Sequence, residues 1–143
     1  MAIPGSMANV SAEWVEECIG RGKLNNINLV PMGEGVGMMS SMSIIELEWE
    51  GSTNLPSSLV LKLAAENETN RAVSQQFNLY LKEVSYYKDL APRTTARSPR
   101  IYASEIDDEH NFFLLMEDVS SYRMGSQVEG ATVEECELCI DFL

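Results

Sequence analysis

The sequence predicts an α+β fold in which five strands form an antiparallel sheet and one long helix follows the third strand. The segment Met38–Glu50 alternates with a period of two, which places Ile45, Leu47 and Trp49 on one face of a strand. Apolar residues recur every three or four positions from Thr69 to Leu90, as expected for a helix with one buried face. Two further apolar runs, Arg100–Ile106 and Phe112–Val119, flank a polar turn and predict the last two strands.

The length and charge of the chain limit what it can be. It has 143 residues, 45% of them hydrophobic, which is enough for one globular domain with a core. A net charge of -12 repels phosphate backbones and anionic headgroups, so we expect neither nucleic acid nor a membrane surface as a partner. The chain has three cysteines, an odd number, which argues against a disulfide framework and fits the reducing cytoplasm.

The remaining elements follow from capping and turn residues. Residues 1–6 precede a second methionine, Met7, and we interpret them as a leftover of cloning outside the fold. A first helix is predicted from Ser11, a good N-cap, to about Gly20. Short strands are predicted at Ile27–Pro31 and Leu59–Ala64. The domain therefore spans residues 7–119.

Residues 120–143 are interpreted as a polar linker and the start of a last helix. Thr132 and Glu135 have the spacing of a capping box, which predicts where this helix begins. Cys136 and Cys139 form a C-x-x-C pair in the predicted helix, without a neighbouring His or Cys, so we expect them to pack in a core. The single histidine, His110, is expected to be a solvated loop residue.

Three glycines, Gly33, Gly35 and Gly37, alternate in a turn between the first two strands. Glycines allow backbone N–H groups to approach an anion closely, although a tight hairpin that binds nothing has the same composition. A dinucleotide-binding fold needs a helix after such glycines, and the residues that follow here alternate like a strand. The remaining interpretation is a strand-turn-strand cover over phosphates.

Lys62 and Glu83 are the charged residues that stand out. Lys62 lies in the middle of an apolar strand, on the face of Val60, and a buried lysine requires an anionic partner. Glu83 lies on the long helix beside its apolar face and could supply that partner. The alternatives are an edge strand whose lysine points to water and a glutamate on the solvated face of the helix.

The order of these features resembles the N-terminal lobe of protein-kinase-like enzymes. The sequence is most similar to the aminoglycoside phosphotransferase and choline kinase group, and within it to bacterial "phosphotransferase enzyme family" proteins and ecdysteroid-kinase-like proteins. The resemblance runs from about Val30 to the end of the chain and is carried by the segments 33–38, 59–63, 83–87, 99–102 and 114–119.

The resemblance implies an ATP-binding site. Gly33, Gly35 and Gly37 would cover the phosphates, and Lys62, held by Glu83, would contact them. Val60 would pack on the adenine, Met116 would lie at the back of the pocket, and backbone atoms of Glu117 and Val119 would hydrogen-bond the adenine edge. One departure is that the glycines read G-x-G-x-G, not the G-x-G-x-x-G of protein kinases.

The resemblance also implies a second, mostly helical lobe that is absent from this chain. That lobe would supply a catalytic aspartate and the Mg²⁺ ligands, and it would bind a small hydroxylated acceptor. We therefore expect the chain to be a fragment without catalytic or metal-binding residues, inactive alone, with an uncovered apolar face that favours a dimer or a helix swap. Two alternatives remain: a non-catalytic nucleotide- or partner-binding module on the same scaffold, and an unrelated α+β domain in which Lys62 and Glu83 pair by coincidence.

Overall fold

The computed structural model describes residues 1–32, 39–123, 125–126 and 128–141. Its centre is a five-stranded antiparallel sheet with the strand order β1-β2-β3-β5-β4, which confirms the predicted fold class. The glycine turn lies outside the described residues. The strands are β1 (Leu24–Pro31), β2 (Ser40–Trp49), β3 (Ser58–Ala64), β4 (Ile101–Ile106) and β5 (Phe112–Glu117).

One face of the sheet is covered by the first helix, α1 (Ala12–Ile19). As predicted, the Ser11 hydroxyl accepts a hydrogen bond from the Trp14 N–H, and Gly20 ends the helix with a φ of 73°. Trp14 meets the ring of Phe113 edge-on at 5.0 Å. Val15 is fully buried in the same apolar cluster. Burial of this helical face holds α1 on the sheet.

Residues 1–6, which were predicted to lie outside the fold, also contact this face. The Trp14 indole N–H donates to the carbonyl of Ala2 at 2.9 Å. Ile3 packs against the apolar cluster under α1, and Pro4 is buried. The segment therefore covers one end of that cluster.

The other face is covered by two helices, α2 (Glu68–Gln76) and α3 (Leu79–Ser85). They correct the prediction of one uninterrupted helix from Thr69 to Leu90, because the chain breaks at Asn78, where φ is 53°. Asparagine tolerates this left-handed conformation better than most residues. After the break Tyr80 and Val84 are buried. Three members of the predicted apolar stripe are instead exposed: Phe77, Leu81 and Leu90.

The chain leaves α3 through a π-helical turn at Tyr86–Leu90 and a 3-10 turn at Ala91–Arg93. After β5 it reaches the last helix, α4 (Val133–Ile140), which begins with the predicted capping box of Thr132 and Glu135. Val133, Leu138 and Ile140 on α4 are exposed. Within the described ranges, no helix is long and apolar enough to cross a membrane.

Candidate functional site

Lys62 lies on the central strand of the sheet. β3 pairs with β2 on one side and β5 on the other, and Lys62 stands opposite Met42 and Leu114. The alternative of an edge strand with its lysine in water therefore does not apply. Only 20% of the Lys62 side chain is exposed, so its ammonium group requires an anionic partner.

Glu83 supplies this partner from α3. The Lys62 ammonium donates to the two carboxylate oxygens of Glu83 at 2.6 and 2.8 Å. The Glu83 side chain is 29% exposed, which makes the pair partly shielded from water. A lysine ammonium carries three N–H donors, so with two directed at Glu83 a third can serve a further anion. Burial, and secondly the Glu83 carboxylate, raise the pKa of the neighbouring Tyr87.

An apolar cleft of about 360 Å³ lies on the face of the sheet that carries Lys62. Its floor and walls include Val60, Met116, Met32 and Met42. Val60 lies two residues before Lys62 on the same face of β3, which separates them by about 7 Å along the strand. The other side of the cleft is formed by the end of β5 and the segment that follows it, with the lining residues Glu117, Asp118, Val119, Ser120, Tyr122 and Arg123. An apolar cleft on a face that also carries a cation suits an apolar ring that bears a negatively charged group.

Backbone hydrogen bonds limit how this segment can meet a ligand. The Glu117 N–H donates to the carbonyl of Arg100 at 2.8 Å, so this N–H is already used. The carbonyl of Val119 accepts from the Tyr122 N–H at 2.9 Å, so this carbonyl is already used. The backbone groups of these two residues that take no part in these hydrogen bonds are the carbonyl of Glu117, an acceptor, and the N–H of Val119, a donor.

Asp118 fixes the same segment to the sheet. Its carboxylate accepts from the Ser58 hydroxyl at 2.6 Å and from the Ser120 N–H at 2.9 Å. These hydrogen bonds, that of Ser58 first, lower the pKa of Asp118. Because Ser58 begins β3, the contact ties the cleft edge to the strand that carries Val60 and Lys62.

Six residues that line the cleft were not among the predicted site residues: Met32, Met42, Asp118, Ser120, Tyr122 and Arg123. A signal was available for Met42, because it precedes Ile44 by two residues and so shares its strand face. Tyr122 and Arg123 follow the last strand in a segment without periodicity, which gives sequence reasoning no information on their direction.

Some predicted residues do not join this site. Gly33, Gly35 and Gly37 lie outside the described residues. His110 is half-buried, with φ at 60°, and its Nδ1 atom is buried without a hydrogen-bond partner among the described residues, so the expectation of a solvated histidine is wrong. Cys136 and Cys139 are both exposed, which corrects the expectation of core packing, because α4 buries none of its described residues. The described part of the chain contains no group of three acidic, His or Cys residues arranged to hold a metal ion.

Comparison with known proteins identifies one family. The model of the "Ecdysteroid kinase-like family" matches residues 34–143, which is more than half of the chain. The matched range contains Lys62, Glu83 and every described residue of the cleft except Met32. No curated protein and no solved structure matches the chain.

Proposed function

Because the chain belongs to the ecdysteroid kinase-like family, we propose that it is the ATP-binding lobe of a phosphotransferase that acts on a hydroxyl group of a small molecule. The observation that supports this most is the contact of Lys62 with both carboxylate oxygens of Glu83, at 2.6 and 2.8 Å. In kinase-type phosphoryl transfer, a strand lysine held by a helix glutamate contacts the phosphates of the nucleotide. In this proposal the third donor of Lys62 is used for a phosphate oxygen.

The apolar cleft is the proposed adenine site. Val60 and Met116 are 6% and 7% exposed and offer the flat apolar surface that a purine ring requires. The ring would enter from the open side of the cleft, between these residues and the segment after β5. This position places the phosphates on the side of Lys62, about 7 Å further along β3.

The cleft edge favours adenine over guanine. Adenine carries an amino group, a donor, where guanine carries the carbonyl acceptor O6. The carbonyl of Glu117 can accept from that amino group, and the N–H of Val119 can donate to the adjacent ring nitrogen of adenine. With guanine in the same position, two acceptors would face each other. We therefore propose ATP, and not GTP, as the nucleotide.

The remaining functional groups are assigned to a second lobe. Phosphoryl transfer requires metal ions that neutralise the phosphate oxygens and an aspartate that orients the acceptor hydroxyl. The described residues do not fit a metal site, since they contain no suitable acidic cluster. We propose that the Mg²⁺ ligands, the catalytic aspartate and the acceptor site belong to the second lobe, and that this chain binds ATP without transferring its phosphoryl group.

Calorimetric titration of the 143-residue chain with ATP tests the proposal. We expect saturable binding at one site, and Lys62→Ala should weaken it at least tenfold, because the phosphates lose their cation. Lys82→Ala is the matched control, since Lys82 is an exposed lysine one residue before Glu83 on α3. Equal affinities for the two variants, or no binding by the unmodified chain, would contradict the proposal.

A further inference from the structure

A single carbonyl group connects both helices to the sheet. The Tyr80 hydroxyl on α3 donates to the carbonyl of Met39 at 2.8 Å, and the Ser74 hydroxyl on α2 donates to the same oxygen at 3.4 Å. Tyr80 is 2% exposed and Ser74 is fully buried. The break at Asn78 lies between these two donors. The two helices therefore share one anchoring carbonyl, immediately before β2 begins.

The Tyr80 hydroxyl makes a second contact with the strand that carries Lys62. It accepts a hydrogen bond from the N–H of Ala65 at 3.0 Å, and Ala65 is the residue that follows β3. Met39 and Ala65 lie at the same end of the sheet, because Ser40 pairs with Ala64. One buried hydroxyl thus joins α3 to the beginning of β2 and to the end of β3.

The Tyr80 ring is held independently of its hydroxyl. It stacks on the ring of Phe112 with a centroid distance of 4.2 Å and an angle of 15° between the planes. Stacked rings can slide past each other at little cost, whereas a hydroxyl with a donor on one side and an acceptor on the other has a defined position. The hydroxyl is therefore a contact that can fix where α3 lies along the sheet.

We propose that Tyr80 is a positioning residue, whose hydroxyl holds α3 where Glu83 meets Lys62. Glu83 follows Tyr80 by three residues, so the two side chains are neighbours on one face of the helix. The inference rests on the proposed function, because it concerns the same lysine and its contact with phosphate.

The properties of α3 explain why such an anchor is needed. The helix has seven residues and is bounded by the break at Asn78 and the π-helical turn at Tyr86–Leu90. A helix this short has little stability of its own, and its position depends on tertiary contacts. Without the hydroxyl, the N–H of Ala65 loses its partner and the carbonyl of Met39 keeps only the longer contact with Ser74.

Loss of the anchor should affect one end of the nucleotide. The residues that line the proposed adenine cleft lie on the strands, in the segment after β1 and in the segment after β5, and none of them is on α3. The residue of α3 that takes part directly in the proposed site is Glu83, at the phosphate end. Tyr80→Phe, which keeps the ring and removes the hydroxyl, should therefore weaken ATP binding without changing the binding of adenosine.

The test is a calorimetric titration of the full chain and its variants with ATP and with adenosine. For Tyr80→Phe we expect the dissociation constant for ATP to rise about tenfold, and that for adenosine to stay within twofold. Tyr102→Phe is the matched control, since Tyr102 is half-buried against the opposite face of the sheet. This control should leave both dissociation constants unchanged.

The outcomes separate this inference from the proposed function. Failure of the unmodified chain to bind ATP would overturn both. Binding of ATP by the unmodified chain, together with an unchanged ratio of the two dissociation constants in Tyr80→Phe, would overturn the role of Tyr80 alone. Ser74→Ala decides the question if Tyr80→Phe does not fold, because it weakens the same anchor at Met39. A selective loss of ATP affinity of two- to threefold in Ser74→Ala supports the inference, and an unchanged ratio overturns it.

Discussion

The strength of the Lys62–Glu83 pair can be measured as a coupling free energy. We consider Lys62→Met and Glu83→Gln, which remove each charge and keep a side chain of similar length. Opposite charges 4 Å apart attract by about 1 kcal/mol in water and by about 4 kcal/mol near a protein surface. The two side chains are 20% and 29% exposed, so the environment lies between these limits. After subtraction of the desolvation and ordering terms, we expect a coupling of about 1–2 kcal/mol.

A double-mutant cycle isolates this coupling from the other effects of each substitution. The free energy of unfolding is measured by urea titration of the chain, the two single variants and the double variant, with the fluorescence of the buried Trp14 as the signal. The pair of Lys23 and Glu16, at 2.8 Å, serves as the comparison and should show a smaller coupling, because the Lys23 side chain is 70% exposed. A coupling below about 0.3 kcal/mol for Lys62 and Glu83 would refute the pairing on which the proposed site depends.

Three further predictions concern other parts of the chain. Asp118→Asn should lower the free energy of unfolding by about 1 kcal/mol at pH 7, because the hydrogen bond from Ser58 is charge-assisted but half-exposed. The folded-state pKa of Asp118 is lowered, so this stabilisation is present above the unfolded pKa of about 4 and is lost as the pH falls through the folded value. Urea titrations should therefore show that the unmodified chain and Asp118→Asn differ less in their free energy of unfolding at pH 3 than at pH 7. An equal difference at both pH values would contradict this assignment. The chain alone should produce no phosphorylated product from ATP and a panel of small alcohols, as followed by mass spectrometry, and turnover would contradict the assignment of catalytic groups to a second lobe. Light scattering should show self-association at high concentration, because α4 exposes Val133, Leu138 and Ile140, whereas a monomeric mass throughout would argue against it.

Periodicity and capping residues predicted most of the fold. The alternation in Met38–Glu50 placed Ile45 and Leu47 on one face, and both are buried in the structure. The first helix begins after Ser11 and ends at Gly20, as predicted. These signals are local, which is why a single sequence contains them. The break at Asn78 was missed, because an unbroken apolar repeat every three or four residues gives no indication that one residue adopts a left-handed conformation.

The candidate site was predictable in part. Lys62 and Glu83 were predictable because a charged residue in or beside an apolar pattern requires a partner of opposite charge. In the structure each of the two is the partner of the other. Tyr80 was predicted only as one more apolar residue of the helix. Its role was missed because the partners of its hydroxyl, Met39 and Ala65, are distant in sequence. For the same reason the contact of Ser58 with Asp118, 60 positions apart, left no pattern in the sequence.

The most direct test of nucleotide binding in the cleft is a methyl NMR titration of the chain, labelled with ¹³C at its methionine methyl groups, against ATP. Met32, Met42 and Met116 line the cleft, whereas Met7 packs against the cluster on the opposite face of the sheet. Binding of ATP as proposed should shift the methyl resonances of the three cleft methionines and leave that of Met7 unchanged. Unchanged resonances for the three cleft methionines at saturating ATP, or a shift of Met7 as large as theirs, would contradict an adenine site between β3 and the segment after β5.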